Sequence, residues 1–369
     1  MARYEDNGDG FLTRGDTLVQ YVDNDEHVVI PDGIKRIKSE AFSHCDKIKT
    51  IALPRSVVRV DPFAFEFCES LEDFFVDDGN PTYRAAEHCL IDANKKTLVA
   101  GLKHSVIPSD GSVDKIGFGA FSPNGCDARI VIPDGISDIG DCAFCGSDLE
   151  NAVLPPSVKI VRSAAFAHCN KLETVVVSEG TQTIEDDAFG NCKKLKSVKL
   201  PDSLISIGKK AFYLCVNLRD LRLPSGLESI GDFAFSGCEK RTGELFIPKR
   251  LTRIGVGALF PQNGITCVTV EQGNEKYHGA GDCLIETAGK KVVLGCANSV
   301  IPDDGSVTVI GFCSFSGCKE LKSIVIPESI EEIESYAFSD SGLKSVTLPK
   351  GFDNIGQYAF GHNVKLKRK

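Results

Sequence analysis

One motif recurs along almost the whole chain, and a chain built that way stacks coil on coil instead of closing around a single core. An apolar residue followed by proline stands at Ile30-Pro31, Leu53-Pro54, Ile107-Pro108, Ile132-Pro133, Leu154-Pro155, Leu200-Pro201, Leu223-Pro224, Ile247-Pro248, Ile301-Pro302, Ile326-Pro327 and Leu348-Pro349. Val177-Ser178 holds the place of a twelfth, and most steps are 22 to 24 residues. A period of this length marks a repeat array, in which each unit buries its apolar face only against its neighbours. The 369 residues therefore do not count domains as they would in an ordinary globular chain.

Each repeat carries the same parts. A small residue and a large one follow the proline position: Ala41-Phe42, Ala64-Phe65, Ala120-Phe121, Ala143-Phe144, Ala165-Phe166, Ala188-Phe189, Ala211-Phe212, Ala234-Phe235, Ala337-Phe338 and Ala359-Phe360. The pair degrades to Ala258-Leu259 and Ser314-Phe315. Three residues past the Phe stands Cys45, Cys68, Cys169, Cys192, Cys215, Cys238 or Cys318. Then comes Leu-x-x-Val-x-Leu, as in Leu195, Val198 and Leu200. Its alternation predicts a short strand, which proline ends because it cannot donate to the ladder. Turn residues such as Asp32-Gly33 follow, then an inward pair such as Ile136 and Ile139. The Ala-Phe segment is expected to form a tight helical turn, with Phe filling the centre of the coil.

The pattern Ile-Pro-x-x-Ile-x-x-Ile-Gly-x-x-Ala-Phe-x-x-Cys-x-x-Leu-x-x-Val, seen well from Pro201 to Leu218, resembles the BspA-like class of leucine-rich repeats over about residues 29–369. The expected fold is an α/β, β-rich repeat solenoid. It is a leucine-rich-repeat right-handed superhelix of about twelve coils, with parallel strands on one face and two inserted β-hairpins. The resemblance implies a surface or secreted protein, bacterial or protist, engaged in adhesion to host or matrix proteins. The amino terminus has no apolar run of a signal peptide and no anchoring segment is evident. The chain reads as cytoplasmic if it is complete, or as exported if a signal has been removed, and the resemblance implies the surface.

Residues 1–28 are expected to form a hairpin-like cap, with Phe11-Leu12 and Thr17-Leu18-Val19 as its strands, and residues 29–369 the solenoid. Two inserts, 77–106 and 271–300, match each other at an offset of 194: Gly79-Asn80 with Gly273-Asn274, Tyr83 with Tyr277, Cys89-Leu90-Ile91 with Cys283-Leu284-Ile285. Each reads as two strands around a polar turn. Long inserts usually project from one face and can carry binding; the alternative is that they adjust curvature.

Several function classes lose support. The net charge is −9, and the short basic tail from Lys365 to Lys369 does not make a nucleic-acid groove. No stretch approaches the ~18 apolar residues of a membrane span. Cys142-Ala-Phe-Cys145 has redox-motif spacing but only flanks the Ala-Phe pair of its coil, and no second Cys/His pair supports a zinc site. His44 and His168 share a repeat position four coils apart. Glu5, Asn7 and Asp9 loosely echo a calcium loop and read as a polar turn. The Cys column reads as a reduced, packed ladder, since free Cys behaves as a small hydrophobe. No catalytic residue, cofactor or metal is expected, and the chain reads as a non-enzymatic scaffold.

What remains is a face. Two residues before each proline position a side chain should point outward from the strands, giving Phe75, Val131, Val153, Val176, Lys199, Arg222 and Phe246 as the candidate protein-binding residues. This is an apolar stripe with a basic centre, and such a patch often marks a protein partner. Val is also simply favoured in strands. The expected partner is a protein or peptide. The alternative is a structural module that self-associates through the carboxyl-terminal coil.

Overall fold

The computed structural model describes residues 5–6, 9–122, 126, 128–260 and 264–368. The chain forms two compact units, Met1–Thr181 and Gln182–Lys369. It is a β-solenoid of about fifteen turns, the twelve coils plus three antiparallel meanders.

In the first unit the face strands His27–Val29, Thr50–Leu53 and Asp73–Val76 pair in parallel register, as do Asn151–Leu154 and Thr174–Val177. In the second, Thr242–Ile247 pairs with Gly264–Val270, and Ser323–Val325 with Ser345–Leu348 and then Lys365–Arg368. Asn151–Leu154 alternates exposed and buried, the two-residue period of a half-buried strand. Two-residue return strands make the opposite ladder: Lys115–Ile116 with Asp138–Ile139 in one unit, and Thr183–Ile184, Ser206–Ile207, Ser229–Ile230 and Arg253–Ile254 in the other.

The Ala-Phe corner departs from expectation. Among the described residues there is no helix, so the α component of the anticipated class is absent. The corner is a run of tight turns: Ala41 N–H bonds to Lys38 O at 3.2 Å, Ser43 to Glu40 at 3.0 Å and Cys45 to Phe42 at 3.2 Å. Two residues in many coils adopt left-handed backbone, such as Glu40 (φ 62) with His44 (φ 61) and Lys210 (φ 56) with Leu214 (φ 57). That conformation costs an ordinary residue about 1–2 kcal/mol, and the stack offsets it. It turns backbone groups along the stack, so that Phe42 N–H reaches Ala64 O at 2.9 Å and Phe212 N–H reaches Ala234 O at 2.7 Å. A helix would have spent those groups within its own coil.

The Phe rings pile up with the coils. Phe121 and Phe144 stack at 4.9 Å and 4°, Phe212 and Phe235 at 5.1 Å and 3°, Phe315 and Phe338 at 4.8 Å and 13°, the spacing of paired strands. The column Cys thiols are held in the same stack. Cys68 donates to Phe42 O at 2.9 Å, Cys169 to Phe144 O at 3.1 Å, Cys215 to Phe189 O at 3.2 Å and Cys238 to Phe212 O at 3.3 Å. Burial pushes the thiols of Cys68, Cys238 and Cys318 up to about 12.

The inserts also differ from expectation, in strand number and in place. Each is a three-stranded antiparallel meander: Tyr83–Ala86, Cys89–Asp92 and Thr97–Gly101 in one unit, Tyr277–Ala280, Cys283–Glu286 and Lys291–Leu294 in the other. The last strand of each joins the return ladder in parallel. The middle strand does not project. Cys89, Leu90, Ile91 and Asp92 are all buried, as are Cys283, Leu284 and Ile285. A strand covered on both faces needs an unbroken apolar run, and Cys-Leu-Ile supplies it. Phe11–Arg14 and Thr17–Tyr21, with Glu5–Asp6 beside them, make a third meander that pairs with Arg36–Ile37.

Candidate interaction face and the two joints

The candidate column lies on the solvent side of the face strands. Phe75 (55% exposed), Val131 (73%), Val153 (59%) and Phe246 (42%) stand clear of the core; Lys199 and Arg222 are exposed and Val176 half-buried. Pairing brings some of them together. Phe75 sits in register with Ala52 and Val29, Val153 with Val176, and Phe246 with Thr269. The Ser197–Asp220 bridge brings the coils of Lys199 and Arg222 side by side. Val131 and Arg222 lie outside any strand. The stripe is also cut within each unit, because the meander turn reaches the same face: Glu87 O accepts Val106 N–H at 3.2 Å and Gly281 O accepts Val300 N–H at 2.9 Å. Beside the first of these turns, His88 Nδ1 lies 3.4 Å from Asp73 Oδ1.

Sequence reasoning left out Val29 (71% exposed), Val106 (58%) and Val300 (69%). All three stand two residues before a Pro, so the signal was present. Among the described residues, eight of the nineteen large exposed apolar side chains fall in this one column.

The matched inserts earn their sequence identity at joints, where a return ladder stops and a meander begins. Asn80 Nδ2 donates to Pro54 O (2.8 Å) and Val57 O (2.9 Å), while its Oδ1 accepts from Thr82 N (2.9 Å) and Tyr83 N (2.8 Å). Asn274 does the same with Pro248 (3.0 Å), Leu251 (2.9 Å), Lys276 (2.9 Å) and Tyr277 (2.8 Å). The Tyr83 hydroxyl accepts Val60 N–H at 2.8 Å, and that of Tyr277 accepts Ile254 N–H. Backbone groups with no next strand to pair with must find other partners, and one Asn and one Tyr provide them.

The joints then diverge. At the first, Asp61, buried, accepts from Arg36 (as close as 2.5 Å) and Arg59 (2.8 Å). The Phe63 ring meets Phe118 edge-on at 5.2 Å and covers Gly119. At the second, the corresponding residues are Gly255, Gly257 and Cys313, and Leu259 replaces Phe65. A cleft of about 190 Å³ remains there, lined by Gly257, Leu259, Phe260, Phe312 and Cys313 among others. Nearby, Arg241 occupies the buried position held elsewhere by Ile48, Leu71, Leu195 or Leu218. Its guanidinium lies over Phe235 at 5.9 Å and donates to Leu259 O at 3.4 Å, while Nη2 meets no partner among the described residues.

The other candidate chemistry resolves into structure. Cys142 is one of the left-handed corner residues (φ 54); its hydrogen bond with Cys145 lowers its thiol to about 7 and raises that of Cys145. His44 stacks on Phe67 at 4.6 Å. Asn7 of the calcium-like segment lies outside the described residues. Among the described residues no group of three or more His, Cys, Asp or Glu could hold a metal, and no helix is long and apolar enough to cross a membrane.

The family model for the BspA type leucine-rich repeat region matches residues 17–88, 99–189, 159–279 and 294–368. The chain belongs to this family. No curated protein matches it. Among solved structures it is similar to a leucine-rich repeat protein from Bacteroides ovatus ATCC 8483, at 23% identity over 100% of this chain and 98% of that one, with a TM-score of 0.51. It is also similar to a leucine-rich repeat protein from Eubacterium ventriosum ATCC 27560, at 24% identity and a TM-score of 0.56, covering 63% of each chain. These likenesses show the fold. Membership in the family makes the chain a repeat scaffold of the kind that serves protein interaction.

Proposed function

We propose that the chain is a non-enzymatic scaffold that binds a protein or peptide through the exposed column of its face strands. One observation carries the reading. Strand preference explains valine inside a strand, yet Val106, Val131 and Val300 lie outside any strand and are among the most exposed apolar side chains described. Apolar groups held out to water where no local preference asks for them fit a surface that a partner covers. The finer proposal, adhesion at a bacterial cell surface, has only the resemblance to the family behind it.

Peptides selected for binding to the full chain provide the test. Changing Phe75 and Val153 to Ser in one variant, and Phe246 and Val325 (56% exposed, two residues before Pro327) to Ser in another, should weaken their affinity at least tenfold in one of the two. The unfolding midpoint should stay put, because these side chains are exposed. Peptides that keep full affinity for both variants would remove the column from consideration. Self-association through the exposed Lys365–Arg368 strand predicts instead a solution mass that rises with concentration.

A further inference from the structure

We propose that the cleft at the second joint binds a small neutral aromatic molecule, whose ring takes the place that the Phe63 ring holds at the first joint. The molecule contains its own comparison. The two joints share the Asn and Tyr network bond for bond, and the position that supplies Phe63 at one supplies Gly257 at the other. At the first joint the ring crosses from its own coil to Phe118 and Gly119. At the second no described side chain crosses from Gly257 to Phe312 and Cys313, and about 190 Å³ stays open. A volume of ~150 Å³ is enough to hold benzene, so the half-open cleft has space for a single ring with a substituent.

The lining sets the chemistry. Its charged neighbours are already paired: Lys291 with Glu334 at 2.6 Å, and Glu286 with Lys276. The second oxygen of Glu334 accepts Phe312 N–H at 2.6 Å, and the Tyr277 hydroxyl is engaged by Ile254 N–H. Among the described residues lining the cleft, no charge is left unpaired to attract an ion. What is left for a ligand is Leu259, Phe260, Phe312 and the Cys313 thiol, surfaces that suit an uncharged ring.

Indole is the probe, because the chain has no Trp and indole emission can be excited apart from tyrosine. Titrating the full chain should give a saturable blue shift at one site per chain. Gly257→Phe should weaken it at least tenfold. The backbone suits the variant, since Gly257 has φ +61 and Phe63 φ 61, and the same column carries Tyr336 and Tyr358 in consecutive coils with rings 5.4 Å apart, but the new side chain must displace the Phe233 ring, which lies 2.8 Å from where its Cβ would stand. Should Gly257→Phe lower the unfolding midpoint sharply, Leu259→Phe closes the cleft from the core side and should weaken binding likewise. Absence of a saturable shift with the unaltered chain, or equal affinity in a folded filled variant, would overturn the proposal.

Discussion

The two joints begin from the same problem and finish differently. Each must end a parallel ladder, satisfy the backbone groups left over and admit a buried strand. Each does so with Gly-Asn-x-x-Tyr. Around that shared frame the first joint is filled, by Phe63 and by Asp61 with its two arginines, while the second has Gly257 and Leu259 beside an open cleft. The polar bonds that close a ladder are thus fixed by geometry, whereas the apolar filling is free to vary. What varies is where a specific role can arise.

The shared frame should carry the largest effect. Asn80→Ala removes four hydrogen bonds and leaves half-buried backbone groups unpaired, at about 1 kcal/mol or more for each group. A loss of about 4 kcal/mol in urea unfolding is expected, and Asn274→Ala should cost the same. A clear inequality would break the claim that the frames are equivalent.

A smaller effect of opposite sign is expected beside the second joint. Arg241 is a buried cation with one hydrogen bond, standing where Ile48 stands before the first joint. Replacing a poorly compensated buried charge with an apolar residue is commonly neutral or stabilising, by about 1–4 kcal/mol. Arg241→Leu should therefore raise the unfolding free energy by about 1 kcal/mol. A loss would mean that the guanidinium has a partner which the described residues do not include.

Much of this was legible from residue order, and the reasons are physical. Stacking puts each side chain against its own counterpart in the next coil, so Phe, Cys and the Ile-Pro step recur and the coils can be counted. The left-handed corners were not legible, because Glu40, Lys210 and Leu214 stand where glycine would have signalled them. The first strand of the first meander was hidden because Tyr83-Arg84-Ala85-Ala86 has no clear alternation. The offset of 194 showed the two joints to be related. Their difference was printed at Phe63 and Gly257 as well, but it acquires meaning only once a ring is seen crossing the gap. The spacing from each proline is what singles out the exposed column, but its interruption depends on where a buried hairpin emerges, which spacing alone does not show.

The smallest effect separates the joints by pH. Burial raises the Asp61 carboxyl, but the bonds from Arg36 and Arg59 outweigh it, and the group titrates below its usual range. A carboxyl with a depressed folded-state pKa contributes stability above its unfolded value, near 3.9, and loses that contribution as pH falls through the folded value. The unaltered chain should lose stability in that acid window, and Asp61→Asn should flatten the loss while lowering stability at neutral pH. Gly255 stands at the corresponding place in the second joint and has nothing to titrate. If hydrogen exchange at Val60 and Ile254 is followed together, only the amide at the first joint should open as the pH drops below the carboxylate range. Parallel opening of both amides would show that acid acts on the shared frame and not on Asp61.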